Sequence, residues 1–340
     1  MHATVLHGPG DVRFERVDDP KLLKPTDAII RLAATCICGS DLWPYRGLQP
    51  LDQPMQMGHE YCGYVVETGA EVRTVKKGDF VVGSFCLSDG TCPHCEFGFP
   101  SSCTNREFMS GAQAPYARVA MADGTLVATR EAPSPNQIVD LLATSDVLGT
   151  GWFAAEAAGV KPGVTAVVVG DGAVGLMAVL AAREMGAERI IAMSRHHSRQ
   201  QLALGYGATH IVAERGAEGI ARIMDLTNGA GAASVLECVG TKESMDQAVA
   251  CCRPGGSIGF VGVPHGVAFT GEQLFFGQRR MFGGPAPVRR YLPNLMDRVL
   301  NGSLKPGGVF DMDLPLEKVA EGYAAMDQRR AIKVLLRVDG

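Results

Sequence analysis

At 340 residues, with 46% hydrophobic and 20% charged residues, the chain has the length and composition of a two-domain globular protein. Its net charge of −4 argues against a nucleic acid or an anionic membrane as the main partner. No apolar run is long enough to span a bilayer, and Met1–His7 lacks the basic region and apolar core of a signal peptide. Ten cysteines in such a chain read as metal ligands rather than disulfides, with a reducing cytoplasm as the expected setting.

Residues 1 to about 35 alternate apolar and polar positions between Gly and Pro, which predicts a β-rich beginning. Ala28–Ala34 is the clearest strand there. Cys36-Ile-Cys38-Gly-Ser40-Asp41-Leu-Trp43 follows, and then Gly58-His59-Glu60. Cysteine, histidine and carboxylate are all good zinc ligands, although each taken singly reads better as a buried thiol or a satisfied core histidine. Further strands are expected at Tyr64–Thr68 and Phe80–Gly83. Asp89 then precedes Cys92, Cys95 and Cys103, and Cys-x2-Cys spacing lets one metal take both thiolates.

From Thr165 the pattern changes. A β-branched apolar run, Thr165–Val169, turns through Gly170-Asp-Gly172-Ala173-Val174-Gly175 into an apolar helix that Gly186 can end in a left-handed cap. Strand, Gly-x-Gly-x-x-Gly and helix in that order favour a dinucleotide site over an ordinary turn. Gly170 permits the tight turn, Gly172 the approach of a pyrophosphate, and Gly175 close helix–strand packing. The helix N-terminus offers free N–H groups to phosphate. Strands at Arg189–Ser194, His210–Val212, Ser234–Val239 and Ser257–Gly262 alternate with helical stretches, as in a doubly wound sheet, with Pro254–Gly256 as the turn before the last. An NAD-specific site carries an acid at the end of the second strand. Here that strand ends at Ser194, which can donate a hydrogen bond, followed by Arg195, whose planar fork matches phosphate oxygens; this predicts a preference for the 2′-phosphate of NADP(H), with Arg199, one helical turn on, flanking the adenosine.

Cys-x-Ser-Asp, Gly-His-Glu and the glycine loop together resemble the zinc-dependent medium-chain dehydrogenase/reductase family, the zinc alcohol dehydrogenases, along nearly the whole chain. The resemblance implies an α/β fold. A β-rich GroES-like catalytic domain would take residues 1–150 and 286–340, and a doubly wound Rossmann cofactor domain residues 151–285. It implies a catalytic zinc held by Cys38, His59 and Asp146, with Glu60 as an exchangeable fourth ligand. It also implies a structural zinc in a lobe where Asp89 replaces the first of four cysteines, beside Cys92, Cys95 and Cys103. Further cofactor contacts are expected at Tyr206, Cys238, Gly262, Val263 and Lys333. Relatives are dimers or tetramers, so a homo-oligomer is expected, joined through Ser257–Gly262 and the segment to about Gly284. The tail, with a helix around Leu316–Asp327 and a closing strand Ile332–Arg337, would return to the first domain.

These residues predict an NADP-dependent alcohol dehydrogenase or carbonyl reductase acting on a small-molecule alcohol, ketone or aldehyde. Zinc with an open position polarises the substrate oxygen, and the nicotinamide carries the hydride. Asp41 would orient His59, and Ser40 would pass the substrate proton outward. Trp43 stands where many relatives have a relay histidine, and it shapes the pocket or leaves the path to water or the ribose. Cys36, Cys251 and Cys252 read as core, His94 and His265 as loop histidines. A polyol or amino-alcohol dehydrogenase using NAD(H) is the near alternative. A non-catalytic zinc module built on Cys92, Cys95 and Cys103 is the distant one.

Overall fold

The computed structural model describes residues 1–338, apart from the side chain of Leu274. The chain divides into two compact units, Met1–Asp146 with Pro287–Gly340, and Val147–Ala286.

The first unit is β-rich. Its main sheet runs Leu126–Ala128, Phe80–Gly83, Tyr61–Thr68, Ala28–Cys36, Val334–Arg337, Met312–Pro315, and Tyr116–Val119 also pairs with Ala28–Cys36. Ala28–Cys36 is buried along nearly its whole length, as its apolar sequence requires of a central strand. Register slips between Ile29 and Ile30 and between Leu32 and Ala34 bend it. Ile30, Leu32, Tyr61, Val81 and Leu126 fill one core. Leu6, Ile37, Met57, Tyr323 and Leu336 fill a second, where the Val319–Asp327 helix is packed. The helix Pro135–Thr144 starts at a capping box, with Ser134 N–H donating to Gln137 Oε1 at 2.9 Å and Pro135 at the first position. The closing strand begins at Val334 rather than Ile332. The N–H groups of Ile332 and Lys333 donate to Asp311 Oδ1, at 2.7 and 3.1 Å, instead of to a neighbouring strand.

The second unit holds a six-stranded parallel sheet in the order His210–Val212, Arg189–Met193, Thr165–Val169, Ala232–Glu237, Cys252–Phe260, Arg280–Gly283. Numbered along the unit this is 3-2-1-4-5-6, the doubly wound order, whose switch point lies between Thr165–Val169 and Ala232–Glu237. The first strand is apolar and buried from Ala166 to Val169, as a strand covered on both faces requires. The turn expected at Pro254–Gly256 is an insertion within a strand: between paired positions Ala232/Cys252 and Ser234/Ser257, two steps on one strand face five on the other. Ser257–Phe260 is interior to the sheet, and its neighbour Arg280–Gly283 forms the edge. Among the described residues no single helix is long and apolar enough to cross a membrane.

Candidate functional site

In the first unit, Cys38, His59, Glu60 and Asp146 present ligand atoms that all lie within 4.8 Å of one another. Local backbone chemistry puts them there. Cys38 caps a short turn, Gly39–Asp41, and its N–H donates to Asp41 Oδ2 at 3.0 Å. Gly58 has φ +102°, and a Cβ at that position would lie 2.4 Å from the Gln113 nitrogen, so Gly-His-Glu needs its glycine. Thr35 Oγ1 donates to the Glu60 carbonyl at 2.8 Å and fixes the next residue. Asp146 follows the Pro135–Thr144 helix and is 8% exposed.

The two ring nitrogens of His59 have separate tasks. Nδ1 lies 3.3 Å from Asp41 Oδ1, and Nε2 faces Asp146 Oδ2 at 3.5 Å. Burial opposes a charged imidazole here. The Cys38 sulfur and the Asp41 and Asp146 carboxylates outweigh it and push the His59 pKa well up. Burial and the Glu60 charge push the Cys38 thiol up in turn. Such a cluster of anions in a dry site calls for a cation. Glu60 is wholly buried, and its Oε1 takes the Lys333 ammonium at 2.6 Å, while Oε2 has no partner. A thiolate, an imidazole with its outer nitrogen held, and an orphaned carboxylate oxygen are the donors that zinc takes, so the residues fit the metal.

Ser40 sits half-buried in the turn between Cys38 and Asp41, and Trp43 is half-buried in Leu42–Tyr45. Cys36, 1% exposed, is a core thiol. Gln113 and Lys333 complete the surroundings, and neither carries a motif that sequence could have flagged as part of a metal site. Gln113 Nε2 donates to the Cys36 carbonyl at 3.1 Å and its Oε1 accepts from Tyr323 at 3.3 Å. Lys333, expected among cofactor contacts, is 1% exposed with its ammonium on Glu60 and on the Ile37 carbonyl.

A second group of donors gathers in the lobe between Cys86–Leu87 and Glu107–Phe108. Asp89, Cys92, Cys95 and Cys103 again lie within 4.8 Å of one another. Cys92 Sγ is 3.6 Å from Cys95 Sγ and 3.8 Å from Cys103 Sγ, and Cys95 Sγ is 3.5 Å from Asp89 Oδ1. Disulfide sulfurs sit at about 2.05 Å. Thiolates on a tetrahedral zinc with Zn–S of about 2.3 Å stand about 3.8 Å apart, so the spacing fits a metal and not a bridge. Backbone N–H groups of Thr104 and Cys95 draw the Cys92 thiol down to about 6. His94 braces the lobe through Nδ1, 2.6 Å from the Ser102 carbonyl.

In the second unit the glycine loop has the form the fingerprint requires. Gly170 has φ +119°. A Cβ on Gly175 would sit 2.0 Å from the Gly170 carbonyl oxygen, so helix and strand approach only with glycine there. Gly172 caps the Ala173–Glu184 helix with no side chain across its N-terminus and nothing within 4 Å of a Cβ, which leaves Ala173 and Val174 to face a phosphate. Gly186, φ +85°, ends the helix in the left-handed form expected. The loop thus fits a dinucleotide. At the end of the next strand Ser194 is buried and Arg195 exposed. Ser194 Oγ donates to Asp171 Oδ2 at 2.9 Å, and Arg199 Nη1 lies 3.2 Å from Asp171 Oδ1. Asp171 lies inside the glycine loop, away from the second-strand end where an acid reading the ribose is expected.

Cys238 and Gly262 follow the fourth and fifth strands, and Val263 is 54% exposed. Glu237 holds the Cys238 loop, its Oε1 accepting from Val239 N–H, Gly240 N–H and Ser244 Oγ at 2.9, 2.8 and 2.7 Å. Tyr206, 8% exposed, is the last residue of the His197–Tyr206 helix. His265 bridges to Thr241, and Cys251 and Cys252 are core.

Comparison with known proteins agrees with both units. Residues 24–130 match a model described as an alcohol dehydrogenase GroES-like domain, and residues 173–301 one described as a zinc-binding dehydrogenase. The chain is similar to zinc-type alcohol dehydrogenase B of Aspergillus flavus, at 35% identity over 99% of this chain and 81% of that one. It is similar to a protein of Mycobacterium tuberculosis named as a probable zinc-binding alcohol dehydrogenase, at 37% identity over 100% of this chain and 89% of that one. Among solved structures it resembles the alcohol dehydrogenase TADH of a Thermus species, with a TM-score of 0.90 and 31% identity over the full length of both chains.

Proposed function

From the premise that the chain belongs to the zinc-dependent medium-chain dehydrogenase/reductase family, as a zinc-type alcohol dehydrogenase, we propose that it moves a hydride between NADP(H) and a small alcohol, ketone or aldehyde. The observation that supports this best is the convergence of Cys38, His59, Glu60 and Asp146, with Glu60 Oε2 left without a partner. These four residues would hold the zinc. When bound, zinc supplies a Lewis acid to the substrate oxygen, and the nicotinamide accepts or supplies the hydride.

The chain's own residues do the rest. Asp41 Oδ1 holds the His59 Nδ1 proton, which fixes the tautomer and leaves Nε2 as the donor atom. Ser40 Oγ takes the alcohol proton as the carbonyl forms and passes it to water; in reduction it returns the proton. Trp43 bounds the substrate space. Burial pushes the Glu60 carboxyl up; the Lys333 ammonium opposes that push and aims the side chain. The preference for NADP(H) rests on Arg195, exposed at the end of the second strand. Ten cysteines with no disulfide among the described residues suit a reducing cytoplasm. One observation favours NAD(H) instead: the Asp171 carboxylate beside Ser194.

A panel of alcohols and ketones, assayed with each nicotinamide cofactor by absorbance alongside zinc content, tests the reading. Cys38→Ser and His59→Ala should lose turnover and one zinc per chain while keeping a cooperative thermal transition. Near-normal kcat in either variant would overturn the ligand assignment.

A further inference from the structure

The carboxylate that faces the second strand's end comes from the wrong place in the chain. In the doubly wound nucleotide fold, a ribose 2′-hydroxyl is read by an acid at the end of the second strand. That position is Ser194 here, and the acid is Asp171 of the glycine loop, 23 positions earlier. We propose that Asp171 is a specificity-determining residue: it ties up Ser194, Arg199 and Arg215 and disfavours a 2′-phosphate relative to a 2′-hydroxyl. This rests on reading the glycine loop as the nicotinamide cofactor site.

Three contacts carry it. Ser194 Oγ has one proton, and Asp171 Oδ2 holds it at 2.9 Å, so that hydroxyl cannot also donate to a phosphate. Arg199 Nη1 lies 3.2 Å from Asp171 Oδ1, with the two side chains 14% and 13% exposed. Arg215 Nη2 lies 3.9 Å from Asp171 Oδ2. Only Arg195, exposed, stands outside the cluster. Burial is the strongest influence on the Asp171 carboxyl and opposes its ionisation. The Ser194 hydroxyl and the two guanidinium groups outweigh it and keep the pKa below the usual carboxylate value. Asp171 is therefore an anion at neutral pH, and a dianionic phosphate must either displace it from its arginines or sit beside it. A ribose hydroxyl meets neither obstacle and can donate to the same carboxylate.

The test uses two fragments that differ only at the ribose, 5′-AMP and 2′,5′-ADP, titrated calorimetrically into the full chain. Asp171→Asn keeps the shape, removes the charge and frees the arginines. The affinity for 2′,5′-ADP should rise about tenfold, while that for 5′-AMP stays within about threefold or falls. An equal change for both fragments, or a larger loss for 2′,5′-ADP, would overturn the proposal, the latter making Asp171 an organiser of a phosphate site. Asp171→Ser serves if the asparagine variant does not fold, and failure of both to fold would assign Asp171 to the fold and end the proposal. The wild-type ratio of the two affinities separately tests the NADP(H) preference. A wild type that favours 5′-AMP, with a variant that shifts toward 2′,5′-ADP, would overturn that preference and uphold this role for Asp171. No binding of either fragment would overturn both.

Discussion

Arg195 and Arg199 stand one helical turn apart, and the structure gives them different partners. Arg199 is committed to Asp171, while Arg195 is exposed and outside that ion pair. Arg195 is thus the guanidinium available to an incoming phosphate. A charge-assisted hydrogen bond contributes roughly 1.5–3 kcal/mol, so Arg195→Ala should raise the KM for NADPH by about ten- to a hundredfold and that for NADH much less. Steady-state kinetics with both cofactors check this, and equal effects would remove Arg195 from phosphate recognition. The metal donors were legible because zinc restricts its partners to a few residue types, and Gly58 flags the strained backbone beside His59. Asp171, Gln113 and Lys333 were not legible. Each acts through a partner brought close by the fold, and nothing local in the sequence announces Lys333 as the cation for Glu60.

Strand and helix cores read well from sequence wherever their apolar period was long, as in Thr165–Val169 and Ala173–Glu184. Boundaries read less well, because tertiary hydrogen bonds move them. Asp311 delays the closing strand, and the insertion at Pro254–Gly256 lies inside one. The lobe of Asp89, Cys92, Cys95 and Cys103 has little apolar packing of its own: Phe97 is 77% and Phe108 57% exposed. Its shape depends on its four donors and the hydrogen bonds between them, such as Thr91 and Cys92 N–H to Asp89 Oδ1 at 2.9 and 3.0 Å. We expect two zinc ions per chain by elemental analysis. Cys95→Ser should lose one of them and lower Tm by roughly 5–10 °C, with kcat changed less than twofold. One zinc per chain in the wild type, with the lobe thiols fully reactive, would contradict this.

For the molecule as a whole, we expect self-association, through the exposed rim of the second unit. Arg280–Gly283 is an edge strand, and the Gly271–Gly277 helix just before it leaves Phe275 and Phe276 76% and 80% exposed. Unpaired strand groups beside bare aromatics are a template for a second copy. Light scattering at micromolar concentration should give a dimer or tetramer, and Phe276→Asp should shift it toward monomer; a monomeric wild type would overturn the expectation. The pairing of Glu60 with Lys333 bears on how the molecule comes to exist. The two residues lie 273 positions apart in the chain. At roughly 5–20 residues per second, a ribosome needs about 15–55 s to travel from one to the other. Residues 147–286 leave the ribosome in that interval and can close their sheet. The earlier segment meanwhile lacks the Val334–Arg337 strand for Ala28–Cys36 and the ammonium for Glu60. Sealing Glu60 away from water without the Lys333 ammonium is unfavourable, so the Glu60 side chain reaches its full burial only when the late segment arrives. Translation order therefore makes the unit that begins first the one that finishes folding last.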